Sequence, residues 1–170
     1  MRKHLFLIGM MGCGKSTMAA ALAQLTGTPC LDLDEAIVRR EGRSIPEIFA
    51  GGGDDAFRIC ETAALRAACA MPPRIIATGG GIITRPENIA LMRETGLVVW
   101  LCRPLESIIA GVRQDTRPNL AGDKEERMRT LYARREALYR GAAHLLYDNS
   151  LPPQQAAKAL LALPDVQALL

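Results

Sequence analysis

Aromatic side chains are scarce in this 170-residue chain, at 4% of positions. So few flat rings leave no platform for stacking along single-stranded nucleic acid. Excess charge of one sign is also missing. Lys and Arg number 21 against 18 Asp and Glu, a net of +3, which is too little for a polyanion but suits a pocket for small anions. The five cysteines (Cys13, Cys30, Cys60, Cys69, Cys102) contain no CxxC pair, and their spacing suits neither a disulfide framework nor a zinc site. Reduced thiols, mostly filling the interior of a cytoplasmic protein, are the expectation. No apolar run approaches the length of a bilayer span. The basic start, Met1-Arg2-Lys3-His4, precedes an apolar run too short for the core of an export signal. Neither nucleic acid nor membrane is expected as a partner.

Hydrophobic residues make up 49% and charged residues 23%, enough for one sizeable core. A single domain over residues 1–170 is therefore expected. Short apolar runs alternate with longer segments of helical period, the pattern of an α/β protein with a parallel sheet. Strands are expected at 4–8, 29–33, 74–78, 97–102 and 144–147. Ser44-Ile45-Pro46-Glu47 and Thr84-Arg85-Pro86-Glu87 both read as helix starts, with a hydroxyl cap, an early proline and a glutamate three residues on. Gly27, Gly42 and Gly96 stand where helices should stop. The polar stretch 114–124, with proline and glycine, is expected to be a mobile loop.

Gly9-Met10-Met11-Gly12-Cys13-Gly14-Lys15-Ser16-Thr17 satisfies the phosphate-loop pattern GxxxxGK[ST]. An apolar strand precedes it and a helical run at 16–25 follows, the context that the pattern requires. Glycines let successive amides point at phosphate oxygens, and the helix N-terminus adds positive potential. Lys15 is placed to reach the β- and γ-phosphates, and the Ser16 hydroxyl to ligate Mg²⁺. A nucleoside triphosphate is the expected ligand.

Other segments must supply the chemistry. Asp32-Leu33-Asp34 is expected to close the second strand, with both carboxylates on one face at the C-terminal edge of the sheet. One could serve a magnesium shell and the other accept a proton. A cap on the next helix is the plainer role for Asp34. Asp54-Asp55-Ala56-Phe57-Arg58-Ile59-Cys60-Glu61 reads as a helix start in which Arg58 and Glu61 share a face. Either they form a surface ion pair of little worth, or Glu61 fixes Arg58 for forked binding of a substrate carboxylate. Gly79-Gly80-Gly81, after the third strand, either bends or lets a ligand approach bare amides. Arg117-Pro118 lies in the expected loop and Arg134-Arg135 on the helix after it. These arginines either face solvent or stabilise transferring phosphate charge.

Taken in order, GMMGCGKST, DLD, GRSIPEIF, GDDAFRICE, ATGGG, the loop RP and RREALY resemble shikimate kinase across nearly the whole chain. The resemblance implies a three-layer α/β/α phosphate-loop kinase with a five-stranded parallel sheet of order 2-3-1-4-5. It also implies a mobile lid at about 112–124 and a substrate-binding segment at about 34–61. The implied activity is ATP-dependent phosphorylation of the 3-hydroxyl of shikimate, with Mg²⁺, by a monomer. Carried over by position, Gly12, Cys13, Gly14, Lys15, Ser16 and Thr17 hold ATP, with Ser16 and Asp32 toward the metal. Asp34 matches the proposed base, which also binds substrate hydroxyls. Arg58 and Arg135 match the grip on the shikimate carboxylate, Gly79, Gly80 and Gly81 the turn at its ring, and Arg117 the lid arginine at the phosphates.

This chain departs from the family pattern at Asp54, where glutamate is usual, at Asn119 in the lid motif and at Ala137, where proline is common. Arg113 is the one candidate for stacking on adenine, and no arginine stands at 148–153. A gluconate kinase of the same architecture would lack Phe57-Arg58 and the triple glycine. A nucleotide-binding regulator without catalysis would be expected to have lost Lys15, Asp34 or an arginine.

Overall fold

The computed structural model describes residues 4–114 and 121–170. Five parallel strands, β1 (His4–Ile8), β2 (Cys30–Asp32), β3 (Ile75–Ala77), β4 (Gly96–Cys102) and β5 (Leu145–Asp148), lie in the order β2-β3-β1-β4-β5. That is the order expected from the resemblance. All five residues of β1 are buried, because helices cover both faces of a central parallel strand. At the β5 edge, half-buried and exposed residues alternate instead.

The helices are α1 (Lys15–Thr26), α2 (Leu33–Glu41), α3 (Ile45–Cys69), α4 (Pro86–Thr95), α5 (Leu105–Gln114), α6 (Ala121–Ala142), α7 (Pro153–Leu161) and α8 (Pro164–Gln167). Helices α1 and α7 pack on each other, while α3, α4 and α6 gather around a 3₁₀ turn at Ile82–Thr84. The chain's end is ordered by Val166, which is fully buried.

Ser44 forms the expected capping box with Glu47. Gly27 and Gly42 end their helices in the left-handed conformation, at φ 72° and 64°. Gly53 breaks α3 at φ 71°, so Asp54 opens its second half much as the acidic pair suggested.

Several local expectations fail for tertiary reasons. Thr84 caps no helix, because its hydroxyl donates to the Gly81 carbonyl within the 3₁₀ turn, and Arg85 takes the cap position without a side-chain bond. Gly96 does stop α4, its N–H donating to the Met92 carbonyl, but in an extended rather than left-handed conformation, because it also opens β4. Residues 121–124, placed in the loop by their polarity, begin α6. The cysteines are all unpaired, but only Cys13 is buried and Cys30 is exposed.

Candidate active site

The glycine-rich segment spans the gap from β1 to α1 and is braced from the far end of the sheet. Asn149, just after β5, donates its side-chain amide to the Cys13 carbonyl at 2.8 Å, and its own N–H donates to the Cys102 carbonyl at 2.7 Å. Gly14 has φ 95°, and a Cβ on it would stand 2.8 Å from that amide nitrogen, so only glycine fits. The buried Lys15 ammonium donates to the Gly9 and Met10 carbonyls at 2.9 and 2.8 Å, which holds its charge at the mouth of the loop. Cys13 buries its thiol beneath the loop, where desolvation raises its pKa. Beside Gly14 and Thr17 opens a cavity of about 340 Å³, walled by Arg103, Asn149, Pro152 and Pro153. It continues from the phosphate loop and has room for a base.

The two aspartates do not share a strand face. β2 ends at Asp32, which caps α2 by accepting from the N–H groups of Asp34 and Glu35 at 3.0 and 3.3 Å. Thus the capping role belongs to Asp32, and Asp34 rides on the first helical turn. The other oxygen of Asp32 accepts from the Ser16 hydroxyl at 2.5 Å. Two hard oxygens next to a phosphate loop fit Mg²⁺, which takes one or two protein ligands together with substrate phosphates. Burial first, then the charge of Asp32, pushes the Asp34 carboxyl above its usual range, while Lys15 and Arg58 oppose the shift.

Arg58 and Glu61 form a buried pair, not a surface one. Glu61 is fully buried, Arg58 is 8% exposed, and Nη1 donates to Oε2 at 2.6 Å. Asp54 accepts from Nη2 at 3.3 Å. Burial disfavours the guanidinium charge, but the two acids outweigh that effect and its pKa rises. Burial also raises Glu61, helped by Asp34 and opposed by Arg58 and Arg135. The deeper carboxylate carries the larger desolvation cost and has an acidic neighbour, whereas Arg58 has acids on two sides.

The triple glycine lies against these groups. A Cβ on Gly79 would stand 2.7 Å from Glu61 Oε1 and 3.0 Å from Asp34 Oδ1, so both oxygens point at one spot. A Cβ on Gly81 would overlap the Arg58 guanidinium, within 2.5 Å of Cζ. Gly80 backs onto the phosphate loop, 3.4 Å from the Met11 nitrogen on the same measure. Asp34 Oδ1, Glu61 Oε1 and Arg58 Nε are buried with no hydrogen-bond partner among the described residues. Such atoms suit a polar ligand that completes them.

Arg135 joins this cluster, since its charge acts on Glu61 and on Tyr139, one turn further along α6. Arg134 turns away and is exposed. Arg117 lies outside the described residues, as does the side chain of Arg113. Sequence reasoning missed Asn149, for which no local signal exists. It also missed Tyr139, although its position four residues after Arg135 puts it on the same helix face.

Comparison with known proteins identifies the family. The shikimate kinase family model matches residues 11–163. Shikimate kinase 2 of Enterobacter sp. (strain 638) is 39% identical over 160 residues, covering 91% of each chain. Shikimate kinase 2 of Salmonella paratyphi B is 38% identical, over 99% of this chain and 97% of that one. Among solved structures, a shikimate kinase from Acinetobacter baumannii in complex with shikimate has a TM-score of 0.87 at 34% identity, covering 95% of this chain and 92% of that one. A sugar kinase from Janibacter sp. shares the fold alone, with a TM-score of 0.62 at 19% identity. With a family model that spans most of the chain and relatives 38–39% identical over nearly its full length, the chain belongs to the shikimate kinase family.

Proposed function

We propose that this protein transfers the γ-phosphoryl group of ATP to the 3-hydroxyl of shikimate, yielding 3-phosphoshikimate and ADP on the route to chorismate and aromatic amino acids. The observation that carries the reading is the contact of Gly80 with the phosphate loop, with Arg58, Glu61 and Asp34 grouped around its flanking glycines. Donor and acceptor pockets therefore share a wall, as direct transfer requires.

Shikimate is a small ring with one carboxylate and three hydroxyls. Arg58 and Arg135 form the cationic end that grips the carboxylate, with Glu61 and Asp54 fixing the fork of Arg58. Asp34 accepts the hydroxyl proton as the oxygen attacks the γ-phosphorus and the bond to the β-bridging oxygen breaks. Its raised pKa makes it a stronger base than an exposed aspartate. Lys15 and the loop amides from Gly12 to Thr17 hold the phosphates, and Arg117, outside the described residues, is the further cation assigned to them. Ser16 and Asp32 would hold Mg²⁺, which when bound neutralises phosphate charge. The protein acts as a monomer in the cytoplasm, and its five unpaired cysteines fit a reducing compartment.

A coupled assay of ADP release tests the proposal. Turnover with shikimate, and none with gluconate or nucleoside monophosphates, is expected. Turnover with gluconate alone would overturn it.

A further inference from the structure

We propose that Tyr139 is a positioning residue for the acceptor pocket, its hydroxyl holding the Gly80–Gly81 peptide so that the Gly81 N–H and the Arg58 guanidinium face the bound acid. The inference rests on the shikimate kinase reading and adds to it a residue remote in sequence from the glycine turn.

Tyr139 is fully buried, and its hydroxyl donates to the Gly80 carbonyl at 2.5 Å. Its ring stacks on Trp100 of β4, with centroids 5.7 Å apart and planes 22° apart. The stack fixes the ring, and the hydroxyl proton is directed at the Gly80 carbonyl. Burial also pushes its pKa well above the ordinary phenol value, so it stays a donor at any working pH.

The receiving peptide needs such a hold. Glycines on both sides give it backbone freedom that no side chain restrains. The peptide is trans, so a carbonyl turned toward Tyr139 turns the Gly81 N–H the opposite way. Among the described residues no backbone carbonyl accepts from that N–H. On the Gly81 side stands the Arg58 guanidinium, so close that any Cβ would overlap it. One hydroxyl thus governs both a backbone donor and the seat of the principal cation. Arg135, one turn earlier on the same helix, sets its charge against Tyr139 and Glu61 together.

Tyr139→Phe removes the hydroxyl and leaves the ring stack intact. Initial rates should show the shikimate KM raised about fivefold, the effect of one lost hydrogen bond to a polar turn. The ATP KM should stay within twofold (an order-of-magnitude bound), and Tm within a few degrees, roughly what one such bond is worth. Thermal shifts give a readout independent of turnover: shikimate should stabilise the variant less than the wild type, and ADP equally. An unchanged shikimate KM, or a fall in Tm or kcat with both KM values intact, would mark a purely structural tyrosine and overturn the proposal. Wild-type protein that does not phosphorylate shikimate at all would remove the functional reading first and this inference with it.

Discussion

The Arg58 guanidinium lies 2.6 Å from Glu61 one turn along α3, and both side chains are sealed from bulk water. In the proposed reading this pair anchors the acceptor pocket. Its position against Gly81 puts a charged fork where a carboxylate can reach it. Arg58→Ala should therefore act twice. Removing one partner of a buried charge pair costs about 3–5 kcal/mol of stability, seen as a lower Tm. The shikimate KM should rise by about 30-fold or more, while ATP binding to the folded fraction stays near normal. Unchanged shikimate kinetics would exclude the assigned grip.

Asp34 allows the reaction and the fold to be separated. Asp34→Asn should lower kcat by about 10²–10⁴-fold with both ligands still bound. In wild type, activity should fall as pH drops through the carboxyl's raised pKa, because protonation removes the base. The stability effect has the opposite sign. A carboxyl whose pKa is raised on folding binds protons more tightly in the native state, so native stability declines as pH rises from the unfolded value through the folded one. Asn carries no charge to desolvate, so the variant should melt above wild type at neutral pH. That gain should vanish below the ordinary aspartate range. A variant that melts lower at neutral pH would contradict the cause assigned to the shift.

Two glycines make a matched pair of tests. Gly81 has φ −98°, which alanine tolerates, but the added methyl would overlap the Arg58 guanidinium. Gly81→Ala should raise the shikimate KM at least about tenfold by displacing that fork, with the ATP KM unmoved. Gly27 has φ 72° and open space around its missing side chain. Gly27→Ala should cost about 1 kcal/mol of stability through backbone strain and leave both KM values alone. Steady-state kinetics with melting curves separate the two, and equal kinetic effects would refute the local explanation.

Lys15 is tied to two loop carbonyls that already hold its charge at the phosphate site. Lys15→Met should reduce turnover by about 10²–10³-fold, the usual cost of losing one preorganised charge. Shikimate should still raise Tm, because its pocket lies across the Gly80 wall. Loss of that shift as well would mean that the two pockets are not separable.

The phosphate loop was legible because its function is written in contiguous backbone. Glycines at Gly9, Gly12 and Gly14 adopt positive φ, and Lys15 follows on the same turn of chain. The Ser44 capping box is local in the same way. Asp32 ends β2 as its strand assignment predicts, but Asp34 lies in the first turn of α2 and not on the strand. Alternation along a strand was assumed, whereas the Asp32 carboxylate satisfies the first amides of α2 and so starts the helix early. Thr84 carried a cap signature that the 3₁₀ turn overrode by offering the Gly81 carbonyl instead.

From the linear order of residues come the strands and helices, the anion-binding loop, the caps and the inventory of charged groups, because each depends on neighbours a few positions apart. Burial is different. Whether Arg58 and Glu61 form a surface pair or a sealed fork depends on which segments cover them, and spacing on one helix is the same in both cases. The bonds from Tyr139 to Gly80, 59 residues apart, and from Asn149 to Cys13, 136 apart, exist only because the parallel sheet brings these segments to one edge. Desolvation and long-range hydrogen bonding are properties of the packed chain, and they turn a list of plausible residues into one pocket.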